Sequence, residues 1–361
     1  MKIGILTFHR SNNYGAQLQA VALREVLTSM GHTVTFVDYW PSYHKARYAL
    51  FSWEAMKHKG VNGKIKYIIN AIRRHNFSKA RIQSFEQFRQ EYIYPYLSSV
   101  DESFDMVIHG SDQIWKKPRE TKVFNPVYFG KNQLRASHQV SYAASMGPVQ
   151  PTESDYRIVK ELLSHLYRIS VRETDLASFV QSLGYECEVS LDPTLLLDRK
   201  QWLHIFEKSF VSRKTEEKYI LFYKLFDNSF DEKKLREFAK RRGCKVKTIH
   251  SIARASNTED NIYIASPITL LQTIEGAEYV FSSSYHGMVF ALLFHKPFYA
   301  AFSRSESRAK TLLETLGLSN RLLSPMSNIP NDDSIIDFDK VERKLTMERN
   351  KSLAYLKRLG N

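Results

Sequence analysis

The sequence predicts an α/β protein built from two parallel-sheet domains side by side. Three observations predict it: strand and helix patterns alternate from the first residue, the apolar strand patterns end on polar residues, and the alternation restarts near residue 198. A chain of 361 residues, 43% of them hydrophobic, is long enough for two domains with a sizeable core.

The first strand is "KIGILTF". The stretch "AQLQAVALREVLTSMG" sets Leu18, Val21, Ala22 and Val26 at near-helical spacing and closes on Gly31, and "TVTFVDYW" is the next strand. This is a βαβ unit, whose crossover is right-handed and whose ligands collect beyond the C-terminal strand ends. The loop there is "HRSNNYGA". Two basic helical patterns fill residues 62–93. After them "FDMVIHGSDQIW", "QVSYAASMG", "RISVRETDLASFVQSLG" and "CEVSLDPTLLL" resume the strand–loop–helix rhythm. The restart reads "YILFYKLF", a helix over 232–242, "KVKTIH", a helix from Pro267, "AEYVFSS", a helix from His286, and "KPFYAAF". The expected boundaries are an N-terminal domain at 1–197 with a basic helical insertion at about 44–93, a C-terminal domain at 198–336, and a closing helix at 337–361 that packs back on the first domain. Strand ends facing a shared cleft make that cleft the expected site.

Several classes are disfavoured. The opening "MKIGILTFHR" is too short in apolar residues for a secretory signal and no run approaches eighteen apolar residues, so a cytoplasmic protein is expected. Cys187 and Cys244 lie far apart with no C-x-x-C spacing, which argues against a disulfide framework, zinc or an iron–sulfur cluster. The first loop offers Gly15 alone where a dinucleotide fingerprint needs three glycines, and no P-loop pattern occurs. Neither metal nor cofactor is expected.

The formal net charge is +14, and much of it is local: between His44 and Glu91 eleven cations face three anions (Glu54, Glu86 and Glu91), with Trp53, Tyr67, Phe77 and other rings interleaved. A solvated helical hairpin and a surface for anionic lipid head groups both fit. A nucleic-acid surface has no helix-turn-helix, finger, RNP or GXXG signature to support it.

Ser11, Asn12, Asn13 and Tyr14 offer amides and hydroxyls suited to sugar hydroxyls or a carboxylate, and Gly15 lets the backbone come close; Asn12 and Asn13 equally suit a turn and helix cap. In "SSSYHG", Ser283 or Ser284 is a natural N-cap, with an anion-binding helix start behind it and His286 in the first turn. By spacing alone that histidine is structural or catalytic.

Read together, "NNYGAQLQAVAL", "GSDQIW", "SYAASMG", "SVRE", "LDPTLLL", "SSYHGMVFALLFHKPF" and "SRAKTLLETLGLSNR" resemble the successive motifs of the polysaccharide pyruvyl transferase family, in order over about residues 3–321. The resemblance implies two Rossmann-like domains facing a central cleft, similar to GT-B glycosyltransferases. It also implies transfer of a pyruvyl group from phosphoenolpyruvate to a lipid-linked or nucleotide-linked sugar of a cell-surface polysaccharide, closing a ketal and releasing phosphate. On the matching positions it implies His286 as the catalytic group, Arg172, Ser283, Ser284, Gly287 and Arg308 at the donor, and Asn13, Tyr14, Gly15 and Asp112 at the acceptor. An ion pair of Arg172 with Glu173 or a nearby acid, a solvated Arg308 and a turn-capping Asp112 are the structural alternatives. The chain departs from the family pattern at Lys116, where Asn is frequent, and at Tyr285, where some relatives carry a charge. The rival enzyme reading is a GT-B-type glycosyltransferase using a nucleotide sugar. An anionic membrane surface is the further partner that the basic segment suggests.

Overall fold

A computed structural model of the chain describes residues 1–51, 56, 60–210, 217–225, 229–302, 306–330 and 335–360; Trp53, Glu54, Lys57 and Lys59 of the basic segment lie outside the described residues. Strand β1 (Lys2–Leu6) is apolar and buried along most of its length, as a central parallel strand must be when helices cover both faces. Helix α1 (Tyr14–Ser29) follows. Its N-cap is Asn13, whose Oδ1 accepts the Ala16 amide at 3.2 Å. Strands β2 (Thr33–Val37), β3 (Leu97–Ser98), β4 (Ser103–Asp112), β5 (Arg135–Ala144), β6 (Ser170–Val171) and β7 (Glu188–Val189) complete a sheet of order β3-β2-β1-β4-β5-β6-β7. Every pairing in it is parallel.

The second sheet repeats the plan. Strands β8 (Tyr219–Lys224), β9 (Lys245–His250), β10 (Asn261–Ile262), β11 (Tyr279–Ser282), β12 (Phe298–Ala301) and β13 (Leu322–Leu323) are ordered β10-β9-β8-β11-β12-β13, again all parallel. In each sheet the chain starts in the middle, runs to one edge and returns to the other, so the winding direction changes between β1 and β4 and between β8 and β11. Crevices at such points are where doubly wound sheets bind ligands. The α/β class with two Rossmann-like sheets is therefore as expected.

Between residues 37 and 97 come α2 (Ser42–Tyr48) and α3 (Val61–Tyr92). Two helical patterns read from the sequence are one helix of 32 residues. From Lys64 to Tyr92 it holds no glycine or proline, so nothing breaks it, and at 1.5 Å per residue it is about 48 Å long. Its C-terminal half bridges the sheets: Arg81 donates to the carbonyls of His250 and Tyr263 at 3.1 and 3.2 Å, Ser84 to that of Ala265 at 2.9 Å, and Arg89 to the Arg10 carbonyl and Asn12 Oδ1 at 3.2 and 2.8 Å.

The remaining helices are α4 (Glu153–Leu163), α5 (Thr174–Ser182), α6 (Arg199–Ile205), α7 (Glu232–Arg241), α8 (Pro267–Glu275), α9 (Tyr285–Leu293), α10 (Ser307–Leu316) and α11 (Phe338–Leu359). Helix α11 touches the first sheet: Tyr355 donates to the Ser141 carbonyl at 2.8 Å, Arg349 to that of Leu195 at 2.9 Å, and Ser352 Oγ accepts the Leu191 amide at 2.9 Å. One hydrophobic core runs from Ile3 and Leu18 through Phe85 to Leu221, Phe290 and Tyr355, so the inner faces of both sheets share it. Smaller cores fill the outer faces, around Trp115 and Phe129 in one and Phe222 and Phe281 in the other.

His109 on β4 is fully buried, its Nε2 3.0 Å from Gln139 Oε1, and burial lowers its pKa from 6.5 to about 4. The folded value lies below the unfolded one, so the stabilisation from the neutral ring is complete above 6.5 and is lost as pH falls toward 4. Protonation is expected to cost on the order of 2 kcal/mol by about pH 5. Urea unfolding across this window checks it, with His109→Gln flattening the slope.

Candidate active site

The carboxyl ends of the two sheets meet at a cluster of charged side chains. Arg172 is the residue that follows β6, and its amide donates to the Ala144 carbonyl at 3.0 Å, which fixes where the side chain leaves the sheet. Its guanidinium, 1% exposed, contacts Asp192 through Nη1 and lies 3.8 Å from Asp112 Oδ1 through Nη2. Nε and Nη2 have no hydrogen-bond partner among the described residues. The expected alternative for Arg172 was an ion pair with Glu173 or a nearby acid; the acid is Asp192.

Asp192 ends the stretch "EVSLD" after β7 and is wholly buried. Its Oδ1 accepts the Thr194 amide at 3.0 Å and the Thr194 hydroxyl at 2.7 Å. Burial alone would raise its pKa, but the Arg172 charge, His286 and the Thr194 contacts hold it well below the usual carboxylate range. His286 Nε2, from the first turn of α9, stands 3.4 Å from Asp192 Oδ2. The other side of the imidazole is against α1: a Cβ at Gly15 would sit 1.9 Å from His286 Nδ1. Gly15 is thus needed for the approach of the imidazole, which comes from the opposite sheet.

Tyr285 joins two cations. Its ring lies 5.3 Å from the Arg172 guanidinium and 4.9 Å from that of Arg308, which is buried in the first turn of α10 and paired with Glu306. One aromatic ring thus lies against both guanidinium groups. A small cavity lined by Arg172, Asp192, Tyr285, Arg308, Thr311 and Glu348 opens beside them. Glu173 turns the other way, toward the loop after β5. Its Oε1 accepts from the Ser145 hydroxyl at 2.7 Å and from the Met146 and Gly147 amides at 3.1 and 3.2 Å, while burial raises its pKa.

The other expected residues divide. Asp112 faces the cluster from the end of β4, with a φ of 79° that few non-glycine residues adopt, and its Oδ1 accepts the Gln113 amide at 2.7 Å. Asn13 is exposed but its side chain caps α1. Tyr14 is buried, packed on Phe85 and Tyr223 at 4.8 and 5.9 Å. Ser284 occupies the N-cap position of α9 without a side-chain cap bond. Ser283 Oγ accepts the Leu225 amide at 2.8 Å and donates to the Tyr223 carbonyl, holding the turn. Gly287 lets α9 lie close on the sheet, since a Cβ there would be 2.3 Å from Ser282 Oγ. His286, Arg172, Arg308 and Asp112 are brought together; Tyr14, Ser283 and Gly287 serve the packing around them. Asp192, Thr194 and Glu306 belong to the cluster although no role was read for them in the sequence. The signal available for Asp192 was its place at a strand end in "SLDPT".

No group of three or more His, Cys, Asp or Glu residues that could hold a metal ion occurs among the described residues. A family model described as polysaccharide pyruvyl transferase matches residues 13–306. No curated protein sequence matches the chain significantly. Among solved structures, it is similar to UDP-GlcNAc 2-epimerase from Neisseria meningitidis bound to UDP-GlcNAc, with 11% identity, 100% of both chains covered and a TM-score of 0.48. It is similar to the same epimerase from Methanocaldococcus jannaschii, with 14% identity, 99% of both chains covered and a TM-score of 0.45. The heptosyltransferase WaaC of E. coli with ADP-2-deoxy-2-fluoro heptose gives 12% identity, coverage of 97% of this chain and 100% of that one, and a TM-score of 0.41. Likenesses this loose carry no functional argument.

Replacing Asp192 by Asn leaves the Arg172 charge buried without its partner and is expected to destabilise the fold by roughly 3 kcal/mol or more. A lower urea midpoint at unchanged m-value checks it. Because the Asp192 pKa is depressed, the stability it contributes is present above the ordinary carboxylate range and lost only as pH falls below it.

Proposed function

The chain belongs to the polysaccharide pyruvyl transferase family, and from that premise we propose that it moves the pyruvyl group of phosphoenolpyruvate onto two hydroxyls of a sugar acceptor as a ketal. The observation that carries this reading is the convergence of His286, Arg172 and Arg308, from three separate motifs, on one buried cluster in which two guanidinium nitrogens of Arg172 have no hydrogen-bond partner among the described residues. A donor with one carboxylate and one phosphate needs cations that are held in place before it arrives, and planar guanidinium groups suit both anions.

The reaction sets the roles. A proton is added to the methylene carbon of phosphoenolpyruvate, which becomes the methyl group and leaves C2 cationic. One sugar hydroxyl attacks C2, the C2–O bond to phosphate breaks, and a second hydroxyl closes the ketal. Two hydroxyl protons are released, one replacing the proton given to carbon and one leaving with phosphate. In this proposal His286 moves the proton, with Asp192 at its Nε2 and Gly15 leaving room at Nδ1. Arg172 and Arg308 clamp the anions, and the α9 helix start at Ser284 adds amide donors. Asp112 and the Asn13 loop would meet the acceptor hydroxyls. The enzyme would work in the cytoplasm, at or near the inner face of the membrane when the acceptor is lipid-linked.

Incubation with phosphoenolpyruvate and a panel of lipid-linked and nucleotide-linked sugars is expected to release inorganic phosphate and add a pyruvyl mass increment to one acceptor. Release of a nucleotide from a nucleotide sugar, with phosphoenolpyruvate inert, would replace this reading by glycosyl transfer.

His286→Ala is expected to lower phosphate release by about a hundredfold or more while leaving the unfolding midpoint near that of the parent chain. A folded variant with near-normal turnover would make His286 structural.

A further inference from the structure

Helix α3 carries two unlike surfaces on one axis. Further along it is packed: Arg81 and Ser84 bond to carbonyls beside the second sheet, Phe85 stacks on Tyr14 of α1, and Phe85, Phe88 and Arg89 are buried. Before Phe77 it leaves Val61, Ile65, Ile68, Ile69 and Ile72 exposed, Val61 by 74% and Ile72 by 71%. At 100° per residue, Val61, Ile65, Ile68 and Ile72 fall within about 60° of one another, with Ile69 at the border, so these side chains form one apolar stripe. Leu50 and Phe51 are also exposed, and the Phe51 ring lies 5.6 Å from Tyr67 of the same helix. A soluble surface rarely leaves such a contiguous stripe uncovered.

The flanks identify the occupant. Lys64 borders the stripe on one side and Lys66 and Arg73 on the other, with Arg74 and Lys79 further round or along the helix, and no Asp or Glu occurs between Val61 and Phe85. A second copy of this face would set like charges against each other. A nucleic acid would satisfy the cations and leave the isoleucines in water. An interface that is anionic at its surface and apolar just beneath it satisfies both. No described helix is long and apolar enough to cross a membrane, which is consistent with a helix that lies in the interface plane.

We propose that the N-terminal half of α3, residues 61–74, docks the protein on an anionic phospholipid bilayer, with the Val61–Ile72 stripe entering the head-group boundary and the flanking Lys64, Lys66 and Arg73 reaching the lipid phosphates. The proposal is independent of the pyruvyl-transfer reading, because it concerns a surface that contributes no residue to the charged cluster.

Sedimentation of the full chain with vesicles of phosphatidylcholine alone, and of phosphatidylcholine mixed with phosphatidylglycerol, tests it at low and at physiological salt. Partition onto the mixed vesicles only, weakened by salt, is expected. Each engaged cation contributes roughly fivefold, so Lys64→Glu with Arg73→Glu is expected to reduce partition by well over tenfold. Ile65→Ser with Ile72→Ser, which leaves all charges in place, is expected to reduce it by about tenfold or more. These side chains are exposed, so the unfolding midpoints should stay close to that of the parent. Absence of partition, equal partition onto both vesicles, or serine variants that bind as the parent does would each overturn the proposal. So would an oligomer that the serine variants disperse with no vesicle binding, since a second copy would then cover the stripe.

Discussion

The ionised carboxylate of Asp192, buried without exposure to water, is the constraint around which the two halves of this molecule are arranged. Such a charge costs several kcal/mol to bury unless it is fully compensated. Its compensation comes from separate places: Arg172 from the end of β6, Thr194 from the turn that follows, and His286 from the first turn of α9 beyond the other sheet. Of these, His286 is the one that reaches the carboxylate from the second sheet. Gly15 on α1 sets the clearance, since any side chain there would occupy the space of the imidazole.

Much of this was legible in the residues. Apolar strands that end in polar loops mark a doubly wound sheet, because the strand ends carry the ligand-facing groups, and "SSSYHG" could be recognised as a strand-to-helix turn with its histidine at the mouth. The repeated strand order was not legible, because a strand's neighbours are set by crossovers that leave no mark on local periodicity. Asp192 was hidden for a different reason: an aspartate before proline reads as ordinary turn chemistry, and only the approach of Arg172 from another strand gives it a role. Asn13 was open between cap and ligand contact, and the bond to Ala16 shows that it is a cap, which still leaves its exposed edge toward solvent.

Long-range packing explains the basic segment in the same way. Its cations read as one patch in the sequence, yet Arg81 and Arg89 are spent on carbonyls across the two sheets while Lys64, Lys66 and Arg73 stay on the earlier turns. Composition could not separate them, because the difference lies in what each turn of α3 rests against.

The bridging half of α3 bears on how the two sheets can move. Paired Rossmann sheets commonly admit ligands by swinging about a hinge. Here Arg81, Ser84 and Arg89 tie one sheet to the other, and a continuous hydrophobic core fills the space behind them. Wide opening would tear those bonds and wet that core together. A ligand that enters by displacing side chains and surface loops leaves both intact, which makes that the less costly way in.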